Sequence, residues 1–434
     1  MKTLKVVVAW ILAAEARALI RRGKPRVVMV TGSVGKTGTK DAIAAAISAA
    51  ANVPVRASEK SLNSEIGLPL TILGLENGWR NFWAWAGILL RGLTRAMRGQ
   101  PPPFLVLEVG VDRPGDMDRA LSIVTPEVAV ATVFADAPVH GANFPARREG
   151  ESVAELVAYE KAKLFAAATR AVVVNADHPR ALAQARRAGK PVITFGAAAG
   201  ADFQVDGYEV TYAASGQPSG FRAFVAWAGG EAGFAVEGVV GEPQALPAAA
   251  AAAVCRALDL PVGPGVAAVA AAPRQPGRAR LIPGRNGSVI VDDSYNASPV
   301  ATAAAIRAAA SIKREGRLAI LLGDMRELGA ASAEAHREVG MLAAASGATL
   351  LVTVGEESKK AGEAASAAGC PTQSFADAPS AGEFLKTWLG AGDVLLAKGS
   401  QGGIRLERAV ERLLANPEDA ALLPRRGKEW ERIK

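Results

Sequence analysis

Seven consecutive residues near the N-terminus carry the clearest chemical signal: Thr31-Gly-Ser-Val-Gly-Lys-Thr37. An apolar run, 26–30, precedes them and an alanine-rich helical pattern, 37–50, follows. A strand that ends in a glycine loop and turns into a helix aims several backbone N–H groups at one point, and the helix dipole adds positive potential there. Phosphate oxygens suit that point. Gly32 and Gly35 let the backbone approach closely, with Thr31 and Ser33 completing the loop. Lys36 supplies positive charge for terminal phosphates, and the Thr37 hydroxyl is a hard oxygen ligand for Mg²⁺. The general phosphate-loop pattern has a glycine where this chain has Val30, so this is the shorter T-G-x-x-G-K-T form. An ordinary tight turn would give no reason for a lysine at the helix start.

A polyphosphate site also needs ligands for its metal. Glu108 closes the strand pattern 104–108, and His140 falls in a loop after the strand pattern 128–132. Both therefore belong at the carboxyl edge of a parallel sheet, where ligands bind in such folds. Composition removes several alternatives. Three histidines and two cysteines, Cys255 and Cys370, exclude a multi-histidine metal centre, a C-x-x-C zinc site and a disulfide framework. The net charge of +8 is modest for 434 residues, and the basic residues are not interleaved with stacking aromatics, which argues against nucleic-acid binding. Hydrophobic content of 50% rules out extensive disorder, and the scarcity of cysteine fits a reducing, cytoplasmic setting.

The elements that must hold these groups follow from the hydropathy pattern. Short buried strands are expected at 26–30, 104–108, 128–132, 171–175 and 191–195, with helices between them, 152–168 included. From 203 to 240 the residues alternate with glycine punctuation, which predicts antiparallel hairpins forming an extra sheet on the first domain. An alanine-rich helix, 247–258, and a Pro/Gly linker, 273–277, follow. Strand patterns then restart at 289–292, 318–322, 349–354 and 394–397. The expected class is α/β. A central phosphate-loop ATPase domain, 26–273, has a parallel sheet plus a small antiparallel sheet, and a Rossmann-like domain, 278–434, comes after it. An N-terminal helix, 1–25, comes first; its apolar part contains Glu15 and Arg17 and falls short of the about 20 residues a bilayer requires. The first strand starts too soon after it to leave room for a cleaved signal peptide. At 79–93, Trp79, Trp83 and Trp85 precede Ile88, Leu89 and Leu90; core packing is the expectation and weak contact with a membrane surface the other reading.

Seven motifs occur in order: Thr31-Gly-Ser-Val-Gly-Lys-Thr37, Asn63-Ser-Glu-Ile-Gly-Leu-Pro69, Glu108-Val-Gly110, Asn175-Ala-Asp177, Asp292-Asp-Ser-Tyr-Asn-Ala-Ser-Pro299, Gly323-Asp-Met-Arg-Glu-Leu-Gly329 and Lys398-Gly-Ser400. Together they resemble the Mur ligase family of peptidoglycan synthesis, and within it the UDP-N-acetylmuramoyl-tripeptide D-alanyl-D-alanine ligase branch. The resemblance covers roughly 26–414. It implies that two lobes hold ATP and Mg²⁺ and make an amide bond through an acyl phosphate. By the same resemblance, Lys36, Lys161, His140 and Glu108 are catalytic. Thr31, Gly32, Ser33, Gly35, Lys36, Thr37, Asn175, Asn296 and Arg278 hold the nucleotide. Thr37, Glu108, His140 and Lys161, carbamylated, serve the metal, with Lys163 as the alternative to Lys161. Asn63, Glu65 and Lys398 contact substrate.

The chain departs from the family in places. The family's N-terminal domain that holds the UDP-sugar is not recognisable before residue 26. Ser64 and Ser298 stand where asparagine is usual, Gln401 where arginine often follows Lys-Gly-Ser, and no acid follows His140 closely. The expected acceptor is a peptidoglycan precursor peptide receiving D-Ala-D-Ala or a similar amine. A folylpolyglutamate synthase-like or other free-peptide acceptor is the alternative, and a separate UDP-binding partner is one way the missing grip is replaced.

Overall fold

The computed structural model describes residues 2–58, 65–78, 82–136, 138, 140–145, 152–400, 402–426 and 430. The chain divides into two compact units: Met1–Gly207 with Ala223–Phe234 and Ala245–Ala272, and Tyr208–Arg222 with Ala235–Gln244 and Pro273–Lys434.

In the first unit, α1 (Lys2–Gly23) leads into β1 (Arg26–Thr31) and α2 (Lys36–Ala51). Then come β2 (Val55–Ala57), α3 (Gly67–Leu73), α4 (Phe82–Arg98), β3 (Phe104–Glu108), α5 (Asp116–Leu121), β4 (Val128–Ala131), α6 (Val153–Ala167), β5 (Ala171–Asn175), α7 (Pro179–Arg187) and β6 (Val192–Gly196). Strands β1, β3, β4 and β5 are apolar and almost wholly buried, as parallel strands covered on both faces must be. The order β2-β3-β1-β4-β5-β6 puts β1 between β3 and β4, both parallel to it. The chain reverses its direction of growth at β1, which opens a crevice at that strand's carboxyl end. Val30 lies level with Glu108 and Thr31 level with Ala131, so the last residues of three strands meet there.

The alternating segment forms β7 (Phe203–Tyr212), β8 (Pro218–Trp227) and β9 (Gly230–Glu237). These strands continue the main sheet and make no separate one: β7 joins β6 through Phe195↔Phe203 and Gly196↔Gln204, and the sheet reaches nine strands. Helix α8 (Leu246–Ala257) and helix α9 (Val262–Ala268) close the unit. Ala248, Ala249, Ala250, Ala251, Ala252 and Ala253 are all fully buried, so α8 is enclosed on every side and contributes only methyl groups there to its packing against α2, β5 and β6.

The second unit contains β10 (Arg280–Pro283), β11 (Val289–Asp293), α10 (Pro299–Ile312), β12 (Leu318–Gly323), α11 (Ser332–Ala345), β13 (Leu350–Val354), α12 (Lys359–Ala367), β14 (Thr372–Phe375), α13 (Ala378–Trp388), β15 (Val394–Lys398) and α14 (Glu407–Leu413). Its sheet runs β10-β11-β15-β12-β13-β14, parallel except for β10. Apolar clusters flank both faces, as the alternation predicted for a Rossmann-like domain. Among the described residues no helix is long and apolar enough to cross a membrane.

Candidate functional site

The loop after β1 takes the shape its glycines allow. Gly32 sits at φ 148 and Gly35 at φ 84, a backbone region that L side chains rarely adopt. At Gly32 a Cβ would stand 1.9 Å from Thr132 Oγ1, so glycine is also required by space. The Ser33 N–H donates to Val133 O at 2.6 Å, and Thr132 Oγ1 donates to Val34 O at 2.6 Å, which ties the loop to the end of β4. Thr31 Oγ1 donates to Val109 O at 3.2 Å on the other side. The loop is therefore pinned to both neighbouring strand ends.

Three charged groups meet this loop. Lys36 Nζ donates to Gly32 O at 2.9 Å, lying back along the loop as it would along a phosphate chain. Thr37 Oγ1 donates to Glu108 Oε2 at 2.8 Å, which joins a hydroxyl at the start of α2 to the carboxylate at the end of β3. Lys161, on α6, brings its Nζ within 3.0 Å of Ser33 Oγ and 5.8 Å of the Phe134 ring centre. Its side chain is buried, and burial together with the neighbouring Lys36 charge lowers its pKa to about 7, against a weaker opposing pull from Asp112. Lys163 faces elsewhere. It pairs with Asp118 at 2.5 Å and Glu160 at 2.8 Å, and these carboxylates raise its pKa against the opposing effect of burial.

His140 adopts a left-handed conformation, φ 66, and its Nε2 is 3.3 Å from Asp112 Oδ1. Asn143 Nδ2 donates to Asp112 O at 3.0 Å and steadies the same turn. Asp112, four residues beyond Glu108, was not singled out from the sequence, although its place just past a strand end was the available signal. Two supporting residues were missed as well. Ser58 Oγ accepts the Glu108 N–H at 3.0 Å, and the buried Lys40 ammonium donates to Ser58 O and to Asp41 Oδ1, both at 2.5 Å. The buried cation thus ties α2 to the residue after β2 that accepts the Glu108 N–H.

The remaining expected residues fall in varied places. Asn175 is buried at the end of β5 and its Oδ1 accepts the Asp177 N–H at 2.9 Å, an Asx turn that shapes the loop. Glu65 pairs with Lys5 at 3.0 Å on the surface. Asn63, Ser64 and Gln401 lie outside the described residues. A cavity of about 1080 Å³ bounded by α5, α6 and α7, including Gly115, Tyr159, Lys163 and Arg180, does not include the phosphate loop in its lining.

In the second unit, β11, β15 and β12 lie side by side and carry three of the motifs at their carboxyl ends. Lys398 is buried, pairs with Asp293 at 2.8 Å and donates to Asn296 O at 2.6 Å. It thus pins the loop that carries Asn296, whose Oδ1 accepts the Ala297 N–H at 2.9 Å. Desolvation lowers the Lys398 pKa in spite of Asp293. Arg278 stacks over Tyr295, 4.5 Å from the ring centre. Ser400 Oγ donates to Ala297 O at 3.3 Å and accepts the Arg326 N–H at 3.0 Å, linking all three motifs.

Among the described residues no three His, Cys, Asp or Glu side chains gather as a metal cage. The oxygen pair Thr37–Glu108 beside a phosphate loop suits Mg²⁺ all the same, because that ion keeps waters and shares phosphate oxygens instead of filling an all-protein site. A phosphate loop on one doubly wound sheet, followed by a second such sheet, defines a nucleotide-binding protein of two α/β units.

Comparison with known proteins gives the family. Residues 87–255 match the Mur ligase middle domain and 277–401 the Mur ligase, glutamate ligase domain. The UDP-N-acetylmuramoyl-tripeptide–D-alanyl-D-alanine ligase of Synechocystis is 30% identical over 398 residues, covering 90% of this chain and 75% of that protein. Its Escherichia coli counterpart is 28% identical over 409 residues, covering 93% and 80%. Among solved structures, the MurF ligase from Thermotoga maritima in complex with ADP superposes with TM-score 0.74 at 25% identity, over 95% of this chain and 84% of that one. The chain belongs to the Mur ligase family, whose members are ATP-dependent carbon–nitrogen ligases. The folylpolyglutamate synthase of Mycobacterium tuberculosis, TM-score 0.63 at 16% identity over 92% of this chain and 94% of that one, shares the fold.

Proposed function

We propose that this protein joins D-alanyl-D-alanine, or a closely similar amine, to the peptide carboxylate of a peptidoglycan precursor at the expense of ATP. The observation that carries the reading is the phosphate loop with Lys36 along it, Glu108 2.8 Å from Thr37 Oγ1 and the Lys161 amine 3.0 Å from Ser33 Oγ, in a chain aligned with a UDP-N-acetylmuramoyl-tripeptide–D-alanyl-D-alanine ligase over 90% of its length.

In this reading the loop N–H groups and Lys36 neutralise the β- and γ-phosphates. A carboxylate oxygen of the acceptor attacks the γ-phosphorus, the bond to the β-phosphate oxygen breaks, and ADP leaves. The amine nitrogen of D-alanyl-D-alanine then attacks the acyl-phosphate carbon, gives up a proton, and expels inorganic phosphate. Nearly all of the catalysis is positioning and charge neutralisation, so cations dominate the site. Thr37 and Glu108 are the residues for one Mg²⁺. Glu108, His140 and Lys161 are those for a second, Lys161 after its amine has taken up CO₂ as a carbamate. Magnesium, when bound, supplies charge neutralisation at the transferring phosphoryl oxygens. Asp112 orients the His140 ring. Asn175, Asn296 and Arg278 are assigned to the base and ribose, and Asn63, Glu65 and Lys398 to the substrate side, Lys398 by fixing the Asn296 loop. The need for ATP fits a cytoplasmic setting.

The test is phosphate release by the purified chain with ATP, Mg²⁺ and acceptor, with and without D-alanyl-D-alanine. Product formation only when both substrates are present supports the reading. Absence of substrate-dependent phosphate across UDP-linked and free precursor peptides refutes it. The same comparison shows whether the sugar-nucleotide end needs a separate binding partner, and glutamate-dependent turnover with a reduced folate would reassign the acceptor.

A further inference from the structure

Ten large hydrophobic side chains stand exposed among the described residues, and six of them lie on two helices: Val6, Val7 and Trp10 on α1, and Leu90, Leu93 and Met97 on α4. Trp10 is 68% exposed, Leu90 68% and Met97 64%, values that waste apolar area in water.

The two helices pack side by side and run the same way. Glu15 of α1 lies against Gly92 of α4, where a Cβ would meet its carboxylate, and seven residues on, the Arg22 guanidinium donates to the carbonyls of Arg95, Met97 and Gly99. Leu12, Ala16 and Leu19 of α1 and Ile88 of α4 enter the core of the first unit. A helix turns about 100° per residue. Measured from the Glu15–Gly92 contact, that rotation brings Val7 and Trp10 on α1 and Leu93 and Met97 on α4 to one common side, away from the core residues. The stripe on each helix thus becomes part of a shared apolar ridge.

Charge selects what covers it. Helix α1 carries five Lys or Arg and α4 carries three, while the only acid on either is Glu15, which is buried. Arg21 on α1 and Arg91 and Arg98 on α4 are exposed, and the same rotation puts Arg21 on the side of the ridge. An apolar ridge with tryptophan, on a helix pair whose charged groups are nearly all long basic side chains that can reach outward, matches the hydrocarbon boundary and anionic headgroups of a bilayer. Since no described helix can span a membrane, the contact is interfacial.

We propose that the α1–α4 face docks this protein onto the surface of an anionic lipid bilayer, with Trp10, Leu93 and Met97 seated in the headgroup–acyl boundary. This does not depend on the identity of the acceptor.

Flotation of the full chain with phosphatidylcholine vesicles, with and without phosphatidylglycerol, tests it. The protein is expected to float with the anionic vesicles and to bind neutral ones, or anionic ones in high salt, about tenfold or more less well. The triple variant Trp10→Ser/Leu93→Ser/Met97→Ser is expected to lose at least about tenfold in partitioning while keeping the wild-type circular dichroism melt. Quenching of tryptophan fluorescence by brominated lipid is expected to fall in Trp10→Phe. Failure of the wild type to float with anionic vesicles overturns the proposal, as does flotation that survives the triple substitution. Concentration-dependent self-association that the triple variant abolishes, without flotation, would assign the face to a second copy of this chain instead.

Discussion

Lys161 and Lys163 lie two residues apart on α6, and their surroundings shift their amines in opposite directions. At pH 7 a lysine with the ordinary pKa of 10.5 is neutral about once in 3,000 molecules; with its pKa lowered to about 7, Lys161 is neutral about half the time. The reactive population thus rises by about 10³. Lys163 moves the other way, since Asp118 and Glu160 favour its ammonium. Incubation with carbon-13-labelled bicarbonate near neutral pH should therefore give a carbamate resonance in the wild type and in Lys163→Met, and none in Lys161→Met. The sign with pH is fixed as well: the resonance should fade as pH drops below about 7, where the Lys161 amine takes a proton. Substrate-dependent phosphate release should follow the resonance and fall when CO₂ is stripped. A resonance that survives Lys161→Met, or that vanishes only in a Lys163→Met variant with an unchanged circular dichroism spectrum, would refute the reasoning.

Replacing Lys36 by Ala should lower ATP turnover by about 10² or more in the phosphate-release assay while leaving the melting temperature nearly unchanged, because its side chain acts on phosphates and not on packing. Lys40→Met removes the cation beside the buried Asp41 carboxylate and should cost about 3 kcal/mol in urea unfolding. Turnover at permissive temperature should fall too, since Ser58, and through it the Glu108 backbone, loses its anchor. Glu15 is pushed up to about 7 by burial, so between pH 4.5 and 7 the folded chain holds a proton that the unfolded chain releases. Stability should fall as pH rises through that window, and Glu15→Gln should flatten the dependence in thermal melts at several pH values.

Much of the phosphate-loop half was legible in the sequence because its signals are local. The strand, the glycines and the helix start occupy one short run, Glu108 ends a strand pattern, and His140 falls in the loop after another. Partners brought together by folding were not legible. Ser58 supports a residue 50 positions away, and Lys40 supports Ser58, with nothing in either stretch to announce it. The choice between Lys161 and Lys163 could not be made from spacing alone: residues two apart on a helix point to nearly opposite sides, and only the docking of α6 decides which side meets Ser33. The ribbon of β7, β8 and β9 shows the same limit. Alternation identified the strands, but whether they pair among themselves or extend an existing sheet depends on the edge that β6 offers. Lys398 was expected toward the substrate; that its ammonium secures the loop beside it could be seen only once it was known which three strands are neighbours.

The helix that begins at Lys36 packs along α8, which from Ala248 to Ala253 offers its neighbours on every side nothing but methyl groups one carbon thick. Such a bed has no slack. A single added branch there would tilt the shaft of α2 and carry the mouth of its loop with it. Damage in this remote, chemically silent stretch would therefore surface as loss of grip on nucleotide, with every gripping residue still in the sequence.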